Sequence, residues 1–249
     1  MCTVTFIARK HGYALGMNRD EKLTRPTALP PAKRVLGGGE TLFPSEPSGG
    51  TWIGVNAAGV TYALINWYSI TARARDQVAS RGDVVPALLP FDSIEEAALA
   101  LSSLPLERIN PFRLIAILPK EKGVVEWRWN LKLLERVDHS WRTGIWISSG
   151  FDEPGAQQTR GKAFGEAMRQ ASAGSVDWLR RLHRSHGPER GPYSTCMHRA
   201  DAATVSYTEI TVRSGVATMR YVSGAPCCGS HFLKTCFHSL GNVTVPKIT

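Results

Sequence analysis

The sequence predicts an α+β fold of stacked layers. Two observations carry that expectation. Short runs rich in β-branched and aromatic residues, bounded by turn signals, recur along the chain, and two stretches between them hold apolar residues at helical spacing. Taken in order, the chain reads strands, helices, strands, helices, strands, which gives two largely antiparallel sheets sandwiched by helices. A chain of 249 residues buries a substantial core. No linker, repeat or low-complexity tract divides it, so residues 1–249 are expected to form a single domain.

The opening run Thr3 to Ala8 and the run Tyr13 to Met17 are joined by a turn at Lys10-His11-Gly12. An antiparallel pair of this length returns Asn18-Arg19-Asp20-Glu21 to the side of Cys2. Lys22 to Gly50 is rich in proline and glycine, and it reads as irregular segments and short edge strands lying against a sheet and lining a cleft. Thr51 to Val55 and Val60 to Ile65 form a second central pair across the turn Asn56-Ala57-Ala58-Gly59. Asn66 ends the second of these strands, next to Trp67, and its amide is expected at the same edge as Cys2. Ser80-Arg81-Gly82 leads into a helical run from Val84, and Ser93 with Glu96 is a capping box opening an amphipathic helix. Phe112 to Leu118, Val124 to Trp129 and Gly144 to Ser148 are strands. Ala156 to Ala171 and Ser175 to Arg184 supply the second helical layer, and Ser194 to His198, Thr204 to Val212 and Val216 to Val222 return to strands.

Composition narrows the class. The formal charge is +9, which bears on non-specific attraction more than on function. The densest basic stretch, Arg180 to Arg190, reads as a solvated helix end, where cations complement the helix dipole, and nucleic acid is not an expected partner. No window approaches the roughly 18 apolar residues of a membrane span, and the amino terminus lacks an apolar export signal. Five cysteines are an odd number and are spread out, so a disulfide scaffold is not expected and a reducing cytoplasm fits. Cys227, Cys228, His231, Cys236 and His238 match no standard zinc spacing, and thiols and imidazoles near a terminus are commonly unliganded. No metal and no cofactor are expected. His198 reads as a packed or surface residue.

The chemistry gathers at the amino terminus. Removal of Met1 places a thiol and an α-amino group on Cys2, a nucleophile that carries its own base, since a free α-amine has a pKa of roughly 8. The adjacent ammonium is expected to lower the thiol pKa. Arg19, Asp20 and Asn18, returned by the hairpin, are expected to orient the amine and hold the thiolate.

With these residues in view, the chain resembles the NRDE-motif, or transport-and-Golgi-organisation, family within the N-terminal-nucleophile (Ntn) hydrolases. The resemblance rests on Met1-Cys2, Asn18-Arg19-Asp20-Glu21, Gly50-Thr51-Trp52-Ile53-Gly54-Val55-Asn56 with Gly59, and Asn66. It continues through Ser80-Arg81-Gly82, Ser148-Ser149-Gly150, Arg199 with Thr204-Val205, and Tyr221 to Cys227. It implies a four-layer αββα sandwich and hydrolysis of an amide in a small acylated substrate. Cys2 would be nucleophile and base, Asp20 would contact the terminal amine or thiol, and Asn66 would donate to the oxyanion. Arg199 and Arg19 would support Cys2 electrostatically, with Asn18 and Trp67 contacting substrate. The wider acylases carry a second Asn where this chain has Ser148-Ser149-Gly150. The alternative implied by the same resemblance is a non-catalytic handler of haem or a lipid or acyl ligand, with Cys2 idle.

Overall fold

The computed structural model describes residues 2–75, 78–229 and 233–238. Its first hairpin is β1 (Cys2–Arg9) and β2 (Gly12–Lys22), paired so that Cys2 faces Arg19. Gly12 makes the turn at φ +118°, and a Cβ there would sit 1.9 Å from the Val212 carbonyl oxygen, so only glycine fits. The chain then forms β3 (Leu29–Leu36), β4 (Gly39–Ser45), β5 (Ile53–Asn56) and β6 (Thr61–Asn66). Two helices follow, α1 (Val84–Leu88) and α2 (Ile94–Ser102), before β7 (Phe112–Leu118), β8 (Gly123–Trp129), β9 (Leu134–His139) and β10 (Gly144–Ser148). Helices α3 (Glu153–Ala167) and α4 (Val176–Arg184) precede β11 (Ala202–Arg213), β12 (Val216–Ser223) and β13 (Leu233–His238).

The strands make two sheets. One has the order β10-β1-β2-β11-β12-β13 and the other runs β3 to β9 in sequence, with every named pair antiparallel. Alternation along the strands explains the layers. Val4, Phe6, Leu15 and Met17 point between the sheets, where they meet Ile53, Ile65, Ile115 and Ile117. Ile7 and Ala14 point the other way, under Trp178, Leu179 and Leu182 of α4. Val84, Leu88, Ala97 and Leu101 of α1 and α2 cover the outer face of the second sheet through Tyr62, Leu114 and Trp127. The α+β arrangement of two mainly antiparallel sheets between helices is the one expected.

Local signals account for most boundaries. The Ser93 hydroxyl accepts from the Glu96 amide at the start of α2, and Asp152 and Ser175 cap α3 and α4 in the same way. Three elements differ from expectation, β9, β13 and the segment Ser194 to His198, whereas β3 is one of the edge strands expected of the Lys22 to Gly50 stretch. The prolines Pro30 and Pro31 sit within an eight-residue strand, β3, which tolerates them because it is an edge strand with an irregular register between Leu29 and Ala32. Strands β9 and β13 are also sheet edges, and β9, Leu-Glu-Arg-Val-Asp-His, carries charge along its length. Ser194 to His198 is not a strand. Its backbone is held by the Ser194 hydroxyl, which donates to Gly191 and Cys196 carbonyls, and by one bridge from His198 to Ala203.

The basic end of α4 is not wholly a solvated face. Arg180 Nε lies 2.7 Å from the Glu209 carboxylate, whose side chain is buried. Among the described residues, no helix is long and apolar enough to cross a membrane.

Candidate active site

Cys2 stands at the start of β1 between two neighbours, Arg19 on β2 and Ser148 on β10. Residues directly opposite in antiparallel strands share a face, so all three turn toward the gap between the sheets. A cleft of about 300 Å³ opens there, with Cys2, Arg19, Glu46, Trp52, Asn66 and Arg81 among its lining residues. Cys2 itself is only 6% exposed, which puts the thiol at the inner end of the cleft.

Arg19 is held from two sides. Its guanidinium lies 4.3 Å from the centre of the Trp52 ring and 2.6 Å from the Glu46 carboxylate. Asn66, at the end of β6 in the opposite sheet, donates from Nδ2 to the Tyr68 hydroxyl at 2.8 Å. A primary amide has two N–H groups, so a second donor remains on the same nitrogen.

Asp20 follows Arg19, and strand alternation sends its side chain to the opposite face, into the layer of α3. There its carboxylate accepts from Arg160 at 3.2 Å and from the Thr204 hydroxyl at 2.6 Å. Its effect on Cys2 through the main chain favours the thiolate, while its carboxylate charge acts against it. Asn18 shares the outward face with Asp20. It is fully buried and donates to the carbonyls of His183 and Thr195, so it ties β2 to the chain around α4 and does not reach the cleft. Trp67 donates its backbone N–H to Pro111 and is not in the cleft wall, where Trp52 supplies the indole. Arg199 does not reach it either: the guanidinium lies 2.8 Å from Asp201 and 4.8 Å from the Phe151 ring centre.

In the chain that keeps Met1, burial pushes the Cys2 thiol up; the terminal ammonium opposes this, the Asp20 carboxylate adds to the rise, and Arg19 and the Asp20 main-chain N–H lower it without cancelling it. The expectation of a depressed pKa concerns Cys2 carrying its own ammonium once Met1 is removed. In the same Met1-bearing chain, burial pushes the Tyr68 phenol up, but the terminal ammonium, the Asn66 hydrogen bond and Arg81 outweigh it and leave it below its ordinary value.

Several of these residues were not legible as site candidates. Trp52 lies inside the Gly50 to Asn56 stretch but nothing local marks its indole as a cleft wall. Arg160 is one arginine on a helix without other signal, and its role depends on a partner far away in sequence. Ser148 pairs with Cys2 and carries a buried hydroxyl without a hydrogen-bond partner among the described residues, as does the Trp52 Nε1.

The family model for Transport and Golgi organisation 2, TANGO2, matches residues 1–183. The chain belongs to the TANGO2 family. A search of curated protein sequences returned no significant match to this TANGO2-family protein. Among solved structures it is similar to penicillin V acylase from Agrobacterium tumefaciens, with a TM-score of 0.56 and 12% identity over 94% of this chain and 85% of the acylase. It is similar also to two mutant forms of conjugated bile acid hydrolase from Clostridium perfringens, with TM-scores of 0.53 and 0.54 and identities of 12% and 11%, over 98% of this chain and 100% of each hydrolase. At such identity the likeness shows the fold. The TANGO2-family chain shares the fold of this acylase and this bile acid hydrolase.

Proposed function

We propose that this TANGO2-family protein is an Ntn hydrolase that cleaves the amide bond of a small acylated substrate, with Cys2 as nucleophile after Met1 is removed. The observation that carries the reading is the placement of Cys2 at the inner end of a cleft whose walls carry Arg19 from its own sheet and Asn66 from the facing one. The fold likeness to an acylase and a bile acid hydrolase supports the same reaction class.

In this reading the freed α-amine of Cys2 takes the thiol proton, and the sulfur attacks the amide carbon. The carbonyl oxygen becomes an oxyanion, stabilised by the second N–H of Asn66. Collapse breaks the carbon–nitrogen bond as the ammonium returns its proton to the leaving amine. Water then hydrolyses the thioester. Arg19 balances the developing charge, and Asp20 acts through its N–H while Arg160 and Thr204 fix its carboxylate. Arg81 lines the cleft beside the proposed acyl site and suits a substrate that carries its own carboxylate.

The haem or lipid alternative has less support. The cleft wall is mainly charged and polar, with Trp52, Leu64, Val78 and Ala79 as its apolar part, whereas apolar ligands are held by predominantly apolar pockets.

A panel of N-acyl amino acids, acyl-homoserine lactones and penicillins tests the proposal. Turnover should be found for at least one class, be abolished in Cys2→Ala and persist as a trace in Cys2→Ser. Uptake of haem or an acyl ligand with equal affinity in wild type and Cys2→Ala, with no product from any amide and Met1 shown to be absent, would overturn it in favour of a ligand handler.

A further inference from the structure

We infer that His186, Cys196, His198 and Cys227 form a tetrahedral zinc site that fastens three segments of the chain behind the cleft. One ligand atom from each lies within 4.8 Å of all the others. His186 Nε2 is 3.2 Å from His198 Nε2, and His198 Nε2 is 3.6 Å from the Cys196 sulfur and 3.4 Å from the Cys227 sulfur. Zinc arms of about 2.3 Å to sulfur and about 2.0–2.1 Å to nitrogen, set at tetrahedral angles, give N···N edges near 3.3 Å and N···S edges of about 3.5 Å. The three separations, which meet at His198 Nε2, match the three edges at one vertex of such a tetrahedron, and the other three lie within 4.8 Å. Two thiolates and two imidazoles are the donor set that favours zinc among common divalent ions. Four protein ligands also complete the tetrahedron, which makes the site structural and leaves no position for a reacting water.

The site differs from the set raised from sequence. Cys227 is shared, but Cys228 lies outside the cluster, His231 lies outside the described residues, and so do the side chains of Cys236 and His238. Sequence spacing fails here because the ligands come from separate places. His186 follows α4, Cys196 and His198 flank Met197 ahead of β11, and Cys227 lies in a single 3-10 turn, Pro226–Cys228, after β12. The backbone supports this gathering: the Cys196 N–H donates to the Ser185 carbonyl at 3.0 Å and the His198 N–H to Gly191 at 3.2 Å.

The ion would brace the candidate active site without touching it. The Met197 N–H donates to the Thr204 hydroxyl at 2.8 Å, and that hydroxyl donates to Asp20 at 2.6 Å. Thr195, one residue before the Cys-x-His pair, accepts from Asn18 at 2.8 Å. One adjustment accompanies metal binding. The exposed Arg190 Nη2 lies 3.3 Å from His198 Nδ1, but a ring that ligates through Nε2 carries its proton on Nδ1, so Arg190 turns away when the ion is held.

Metal analysis of protein purified in reductant without chelator tests the inference. Wild type should carry about one zinc per chain. Cys196→Ser and Cys227→Ser should lose it, and Cys228→Ser should keep it. Cobalt(II) added to metal-free wild type should give thiolate charge-transfer and tetrahedral visible bands, and these should be missing in His198→Ala. If those variants fail to fold, alkylation of wild type decides: zinc should protect Cys196 and Cys227 and leave Cys228 labelled as before. Trace metal with no cobalt spectrum, zinc retained in both Cys variants, or a Cys196–Cys227 disulfide in reduced protein would each overturn the assignment.

Discussion

Arg160 Nη1 lies 3.2 Å from Asp20 Oδ2, and the two side chains are 1% and 0% exposed. The pair joins α3 to β2 directly behind Cys2. A buried pair of this kind is costly to break from one side, because the remaining charge is left without a partner. From the sequence, Asp20 has a role in orienting the terminus, expected to weigh more on function than on stability, and its burial against Arg160 adds a large contribution to stability. Arg160→Ala should lower the unfolding free energy by about 3–5 kcal/mol, and Asp20→Ala by a similar amount. Urea unfolding measures both. In the double variant Asp20→Ala with Arg160→Ala the loss should be smaller than the sum of the singles, since no lone charge remains. A loss below about 1 kcal/mol for either alanine variant is the value for a surface pair and would contradict this account.

Asn66 should act on the transition state. Asn66→Ala is expected to lower kcat by about 10²–10³-fold on any amide the enzyme turns over, with little change in KM. Tyr68→Phe removes the acceptor of the other amide hydrogen and should have a smaller effect. Steady-state kinetics on wild type and both variants makes the comparison. A raised KM with unchanged kcat in Asn66→Ala would reassign Asn66 to ground-state binding.

His183 gives a pH signature that is separate from the reaction. Burial, then the Arg160 charge, push its imidazole down to about 3, so the folded chain keeps it neutral while the unfolded chain takes up a proton below roughly 6.5. Its contribution is fully present above that value and is lost as pH falls toward 3. Glu126 enters lower. Burial pushes its carboxyl up, yet the Arg128 hydrogen bond and the Arg113 charge outweigh it and hold it at about 2, so its contribution is lost only below its ordinary carboxylate range. Between roughly pH 6.5 and 4.5, His183→Gln should therefore flatten the fall in stability by up to about 1.4 kcal/mol per pH unit. Unfolding curves across that window check it. Parallel wild-type and variant profiles would mean that His183 is protonated in the fold.

The hairpin, the central pair ending at Asn66 and the capped helices were legible because each depends on residues close in sequence. Gly12, Asn56 to Gly59 and Ser93 with Glu96 are local instructions, and the structure follows them. The edge strand β9 was obscured because charges protect an edge from further pairing and erase the alternation that marks a strand, whereas the prolines around β3 read as an edge strand without giving its bounds. Side-chain direction was harder still. Asn18, Arg19 and Asp20 are contiguous in the motif, yet one-residue alternation sends only Arg19 into the cleft. Arg160 and the His186, Cys196, His198 and Cys227 cluster depend on packing of distant segments, and no spacing rule encodes that.

The most direct test of the proposed chemistry is intact-mass spectrometry of the protein, acid-quenched during turnover of an amide identified from the panel. The account predicts a chain without Met1 that carries the acyl group as a thioester, mapped to the peptide beginning at Cys2 and absent in Cys2→Ala. A chain that turns over the amide while retaining Met1, or that carries the acyl group on any other residue, would contradict it.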